Sequence, residues 1–143
     1  MKRVYVNEKW CLGCHLCEYY CAFAGTRESD MARALKGIKV RARITIEQKD
    51  DISFAISCRH CREPLCVKGC LTGALAVADG IITINKRKCV SCYTCILSCP
   101  YGAVSPSDDG AVQKCELCAQ TAAGTPACVR GCPNNAIVFE DRG

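Results

Sequence analysis

Sixteen cysteines dominate the chemistry open to this chain of 143 residues. They fall into four quartets. The first is Cys11-x2-Cys14-x2-Cys17-x3-Cys21 and the second Cys58-x2-Cys61-x4-Cys66-x3-Cys70. The third is Cys89-x2-Cys92-x2-Cys95-x3-Cys99, followed by Pro100, and the fourth Cys115-x2-Cys118-x9-Cys128-x3-Cys132, followed by Pro133. No cysteine is left over. Thiols at this density serve disulfides, zinc sites or iron–sulfur clusters. In a C-x2-C-x2-C run the chain wraps one [4Fe–4S] cluster and three thiolates reach three of its irons. The fourth cysteine, three residues on, is expected to start a short helix, point away and complete a neighbouring cluster. A proline after it ends the loop. Quartets one and three match this spacing in full. Quartets two and four keep the leading C-x2-C and closing C-x3-C with a longer step between them. The expected cofactors are four [4Fe–4S] clusters held by all sixteen cysteines.

Disulfides need an oxidising compartment. Met1–Trp10 carries basic residues but no apolar h-region and no small-residue cleavage site. No stretch approaches the ~18 apolar residues of a membrane span. The expectation is a cytoplasmic protein with reduced thiols and no membrane insertion. Zinc ribbons separate their C-x-x-C halves by a longer arm, whereas Cys11–Cys21 and Cys89–Cys99 each place four cysteines within eleven residues. Zinc stays open at the looser quartets, and a zinc-bound interaction module is the non-redox alternative. The formal charge of +5 suggests an anionic partner, but clusters carrying about −2 each would more than cancel it. With no basic run interleaved with aromatics, nucleic acid is not expected. There is no dinucleotide fingerprint, Walker loop or Ser/His/Asp arrangement. With every cysteine committed to metal, no catalytic residue is assigned.

The elements that must position these thiols follow from pattern. Between quartets two and three, Leu75–Ala78 and Ile81–Ile84 flank Asp79-Gly80, a strong hairpin signal. Residues 58–105 therefore read as one two-cluster unit. Quartets one and four flank it and must pair with each other, as 1–28 and 106–143, with Val4–Val6 and Ala136–Phe139 as terminal strands. Residues 29–57 belong to neither unit. Ser29 is the expected N-cap of a short helix, Met31–Lys36, with Gly37 at its C′ position. Ile38, Val40, Ala42, Ile44 and Ile46 then alternate with Lys39, Arg41, Arg43 and Thr45, and after the Glu47–Asp51 turn come Ile52, Phe54 and Ile56. That pattern predicts a hairpin with one buried apolar face and a cationic outer face. The fold class is α+β: two bacterial-type ferredoxin units, one inserted in the other, plus an extra β-hairpin. With so thin a core the clusters must hold the fold.

His15 and His60 lie inside cysteine loops. With a complete cysteine set, hydrogen bonding near a cluster or exposure at a docking face outranks ligation. Trp10, Tyr19, Tyr20, Tyr93 and Tyr101 read as packing groups that can also shield clusters from water.

The whole cysteine plan resembles the four-cluster electron-transfer subunits of redox complexes, including the small subunits of dimethyl sulfoxide reductase-type molybdenum enzymes, formate dehydrogenases and formate hydrogenlyase. Trp10–Cys21 and Cys58-Arg59-His60-Cys61 look most like two short members of that class. One is the ferredoxin-like partner of nickel carbon monoxide dehydrogenase, the other the small iron–sulfur subunit of tungsten-dependent aldehyde oxidoreductases. The resemblance implies a non-catalytic relay of single electrons between such an enzyme and a second redox partner, such as a flavin NAD(P)H-linked subunit or a hydrogenase. Self-association into a longer cluster chain is compatible with it, and a freely diffusing polyferredoxin is the alternative. The resemblance also implies ligand swapping. Cys11, Cys14, Cys17 and Cys132 would hold one cluster, and Cys115, Cys118, Cys128 and Cys21 its neighbour. Cys58, Cys61, Cys66 and Cys99 would hold the third, and Cys89, Cys92, Cys95 and Cys70 the fourth. Ala22 and Leu71 replace the proline that often follows the closing cysteine, which removes no ligand.

Overall fold

The computed structural model describes residues 2–24, 30–34, 36, 42–107, 109–118 and 124–142. In chain order the elements are β1 (Arg3–Val6), α1 (Leu16–Ala24), α2 (Met31–Ala34), β2 (Thr45–Lys49), β3 (Ile52–Ile56), α3 (Leu65–Lys68), β4 (Leu75–Ala78), β5 (Ile81–Ile84), α4 (Thr94–Ser98), β6 (Ser105–Pro106), β7 (Val112–Gln113), α5 (Ala127–Gly131) and β8 (Ile137–Glu140). This is a small mixed α/β chain. The sheets among the described residues are antiparallel ribbons of two strands: β1–β8, β2–β3, β4–β5 and β6–β7. A lone two-stranded ribbon is marginal in water, so each must lean on a helix or a cysteine loop. None of the described helices is long and apolar enough to cross a membrane.

Two expected ribbons form as the patterns predict. β1 meets β8 with Val4 opposite Phe139 and Val6 opposite Ile137. β4 and β5 close over Asp79-Gly80, both residues at positive φ (52° and 78°), the backbone of a type I′ turn matched to strand twist. The β6–β7 ribbon carries no sequence signal, because strands of two residues are too short to alternate.

Three local features add to or correct the sequence expectations. Asp30 caps α2: its Oδ1 accepts from the Ala32 N–H at 3.0 Å and its carbonyl from the Ala34 N–H at 2.9 Å. Ser29, Leu35, Gly37 and 38–41 lie outside the described residues, so the expected helix end and the first half of the cationic face fall there too. The second, a correction, concerns the β2–β3 hairpin. Its turn has two residues, Asp50 and Asp51, so Lys49 pairs Ile52 and Ile46 pairs Ala55. Cross-strand partners share a face. The buried face is therefore Ile44, Ile46, Ser53 and Ala55, and Ile52, Phe54 and Ile56 lie on the other face with Thr45, Glu47 and Lys49. A two-residue turn flips the apolar set of the second strand relative to the first. The small side chains of the buried face permit a close approach: a Cβ added to Gly13 would stand 2.7 Å from Ser53 Oγ.

The third, also a correction, concerns the quartets. The third cysteine of each, not the fourth, opens a short helix. Cys17, Cys66, Cys95 and Cys128 are the second residues of α1, α3, α4 and α5 and the buried members of their quartets. Cys99 and Cys132 are the C-cap residues of α4 and α5. The chain also repeats itself here. Pro64-Leu65-Cys66-Val67-Lys68-Gly69-Cys70 and Pro126-Ala127-Cys128-Val129-Arg130-Gly131-Cys132 build α3 and α5, each entered through a proline at the N-cap, where a missing N–H costs nothing.

The apolar interior is divided. One core joins Cys17, Ile44, Ile46, Ala55, Cys128 and Ile137, with Val4, Cys11, Cys21 and Cys132 packed against it. The other joins Cys66, Leu75, Ile82, Cys95, Val104 and Val112, flanked by Cys70, Cys89 and Cys99. Quartets one and four thus contribute to one core and quartets two and three to the other.

Candidate metal centres

In all four quartets the residue before the second cysteine is left-handed: Gly13 at φ 68°, His60 at 47°, Ser91 at 60° and Leu117 at 57°. In quartets one and three the residue after it, His15 or Tyr93, is left-handed too (63° and 60°). Glycine occupies this position in only one of the four loops. For the others the conformation costs on the order of 1–2 kcal/mol each. Left-handed residues alternating with right-handed ones curl successive N–H groups into a concave, anion-binding nest. Several of these groups already address sulfur. His60 N–H donates to Cys58 Sγ at 3.4 Å, Leu117 N–H to Cys115 Sγ at 3.4 Å, and Ala136 N–H to Cys132 Sγ at 3.3 Å. Arg43 N–H, from the segment entering β2, donates to Cys21 Sγ at 3.2 Å.

The cysteines meet across quartets. Cys11, Cys14 and Cys17 line one cavity together with Cys132, beside Ile46 and Ile137. Cys89, Cys92 and Cys95 line another together with Cys70, beside Leu75 and Val112. Burial pushes the Cys115 thiol up to about 11, with Cys21 and then Cys58 adding to the rise. Burial raises Cys128 further, with help from Cys115, Cys21 and Cys118. Burial raises Cys66 as well, with Cys58 and Cys99 among its charged neighbours. Cys61 follows His60 in the quartet-two loop. Cys17 is pushed up to about 12 by burial and by the adjacent Glu18 carboxylate. Two thiols go the other way. Burial also raises Cys70, but the Leu75 and Thr72 N–H groups and the Thr72 hydroxyl outweigh it. Cys92 is lowered by the Thr94 N–H and hydroxyl. Cys14 and Cys92 are the exposed members of the set.

Around the thiols lies a polar shell that spacing alone did not reveal. His60 is 1% exposed, and its Nδ1 accepts from the Ile82 N–H at 3.0 Å. The ring proton therefore sits on Nε2, which is buried without a partner. A buried N–H left unmatched costs about 1–3 kcal/mol, and the sulfur of a cluster beside Cys58 and Cys61 is a suitable acceptor. Lys114 is also 1% exposed. Glu116, buried too, accepts from the Ile84 N–H at 2.8 Å, and Glu18 accepts from Ile46 N–H at 2.7 Å. His15, by contrast, is exposed and pairs with Glu18 at 3.0 Å. Trp10, Tyr19, Tyr20, Tyr93 and Tyr101 are all exposed, and Arg59 stacks over the Tyr101 ring at 4.3 Å. Among the described residues no three or more Cys, His, Asp or Glu side chains gather tightly enough for a single metal ion. All-thiol donor sets, inward N–H groups and an orphaned imidazole N–H together fit [4Fe–4S] clusters.

Residues 50–142 match the model of the 4Fe-4S dicluster domain. The chain belongs to that family. As a dicluster protein with sixteen cysteines it binds multiple [4Fe–4S] clusters, and two per domain fits four overall. It is similar to an iron-sulfur protein of Rhodospirillum rubrum, 34% identical over 96% of this chain and 81% of the relative. It is also similar to the electron transport protein HydN of Escherichia coli K12, 32% identical over 92% of this chain and 83% of the relative. The thiosulfate reductase electron transfer subunit PhsB of Salmonella typhi is 32% identical over 93% and 72%. Two further E. coli relatives, 36% and 34% identical, are matched over only 20% and 21% of their own length. The fold is shared with a chain of the active-site complex BamBC of benzoyl coenzyme A reductase, at a TM-score of 0.53, 21% identity and coverage of 98% and 79%.

Proposed function

We propose that this dicluster chain is a non-catalytic electron-transfer subunit carrying four [4Fe–4S] clusters, two in each of two ferredoxin units, with the unit of quartets two and three inserted in that of quartets one and four. The observation that carries the reading is the crossing of quartets: Cys132 lines the cavity of Cys11, Cys14 and Cys17, and Cys70 that of Cys89, Cys92 and Cys95. The ligand sets are then Cys11/Cys14/Cys17/Cys132, Cys21/Cys115/Cys118/Cys128, Cys58/Cys61/Cys66/Cys99 and Cys70/Cys89/Cys92/Cys95. When bound, the clusters supply one-electron couples. The chain's own groups do the rest. Thiolates fix the irons, the N–H donors to Cys21, Cys58, Cys115 and Cys132 spread negative charge, and burial of the third cysteines keeps water out.

Exposure and proximity favour one order along the wire. Cys14 and Cys92 are exposed, which favours their clusters as the two terminal ones. Cys58 is among the charged groups that raise the Cys115 thiol across the quartets, which favours quartets four and two as the central step. Similarity to named electron-transfer proteins supports a larger oxidoreductase as partner. Carbon monoxide dehydrogenase and tungsten aldehyde oxidoreductase are the candidates that the quartet-one and quartet-two loops favour, with a second redox protein at the other end. Sixteen cysteines in metal-ligand spacing favour the reducing cytoplasm.

The test is iron, sulfide and zinc content of protein purified without oxygen, with EPR after dithionite. Iron and sulfide near sixteen each, with coupled signals, support four clusters. Zinc near four without reducible iron overturns the reading. Recovery of the chain from native cells bound to a catalytic oxidoreductase supports the subunit role, and recovery as a monomer overturns it.

A further inference from the structure

Among the described residues the largest fully buried side chain is a lysine. Lys114 lies directly before Cys115, with 1% of its surface exposed. Its ammonium donates to the Cys115 carbonyl at 2.7 Å and to the Ile82 carbonyl. The N–H of the same Ile82 is bound by His60 Nδ1. One residue of β5 is thus gripped on both sides, by His60 from the quartet-two loop and by Lys114 from the approach to quartet four. The Lys114 ammonium therefore sits against the backbone of quartet four and, through Ile82 and His60, against the loop of quartet two. The two acceptors of the ammonium are neutral carbonyls, and the buried Glu116 is engaged with the Ile84 N–H. A desolvated ammonium is costly unless an opposite charge answers it. Anionic clusters on either side, together with the Glu116 carboxylate, would supply that charge.

We propose that Lys114 is a positioning residue for electron transfer: its buried ammonium, held between quartets two and four, raises the reduction potentials of the two central clusters relative to the terminal pair. Adding an electron makes a cluster more negative, and a fixed cation in a low-dielectric seam favours that state. The electron would then reside at the centre of the wire rather than at its exposed ends, where oxygen and water reach it. The proposal rests on the four-cluster reading above.

The experiment uses the intact holoprotein, purified without oxygen, as wild type, Lys114→Met and Lys114→Arg. Iron and sulfide are counted first, and the couples are then followed by EPR-monitored redox titration. With roughly sixteen irons per wild-type chain, Lys114→Met is expected to keep its clusters while two of the four couples shift to lower potential and two stay in place. Lys114→Arg, which keeps the charge, restores the wild-type pattern. Unchanged couples in a fully loaded Lys114→Met protein overturn the proposal and leave the four-cluster reading intact, and an equal shift of all four does the same. Loss of clusters in Lys114→Met but not in Lys114→Arg makes the lysine a structural clamp and also overturns it. Wild-type protein without four clusters overturns the underlying reading, whatever the variants do.

Discussion

Gly131 lies against the Tyr20 side chain: a Cβ built on Gly131 would stand 2.5 Å from its Cγ and 3.0 Å from its Cβ. This contact seats α1 on α5 one residue away from both Cys21 and Cys132. Gly131→Ala is therefore expected to destabilise the holoprotein by about 1–3 kcal/mol, the range for overpacking. Faster bleaching of cluster absorbance on heating is the measurement. The counterpart Gly69→Ala meets the Ser98 hydroxyl at 3.2 Å, a side chain able to rotate, so its effect should be smaller. Equal losses at both positions would contradict this account.

His60 provides a pH signature. Burial, then the charges of Lys114 and Arg3, lower its imidazole from 6.5 to about 3. A group lowered on folding binds more protons in the unfolded chain, so its contribution is complete above pH 6.5 and is lost as pH falls toward 3. The stability advantage of wild type over His60→Gln should therefore shrink between pH 7 and pH 5. Comparing the two proteins cancels the acid sensitivity that all clusters share. A constant difference across that range would contradict a neutral, buried ring.

Gly13 combines a left-handed backbone with the approach of Ser53. Gly13→Ala strains both, and an added cost of about 1–2 kcal/mol is expected from the backbone alone. The loss should fall on the quartet-one cluster, detectable as selective depletion of one EPR component on aging in air. Gly73→Ala, at a glycine with the same sign of φ but no atom within 4 Å, separates backbone strain from crowding.

Removing the metal should remove the fold. Both cores count their third cysteines among their buried members, and without iron these four thiols lose the bonds that tie the short helices α1, α3, α4 and α5 together. Chelation under oxidising conditions is expected to collapse the far-ultraviolet circular dichroism toward that of an unfolded chain. Retention of most of it would show that the apolar cores suffice.

The cysteine spacing, the Asp79-Gly80 hairpin and the pairing of β1 with β8 are all legible in the amino-acid sequence, because each rests on local geometry or pattern that few other arrangements satisfy. The β2–β3 hairpin misleads for a physical reason. Ile52, Phe54 and Ile56 are more apolar than Ser53 and Ala55, but a two-residue turn sets the register, and small side chains are what the Gly13 loop can tolerate. His60 and Lys114 are harder to read. A histidine or lysine beside a cysteine ordinarily reads as a solvated polar residue, and only the packing of β5 between quartets two and four puts both out of reach of water.

The pairing of β1 with β8 has a consequence for how the protein is made. Arg3–Val6 and the first cysteine quartet leave the ribosome well ahead of their partners, because the strand they need and the thiols of Cys128 and Cys132 come after every other quartet. The segment around quartets two and three can bring its own partners together while synthesis continues. With the ligand sets proposed above, the quartet-one loop would by contrast wait with three reactive thiols exposed until the last quartet has been made. The window for mismetallation therefore opens widest at Cys11, Cys14 and Cys17.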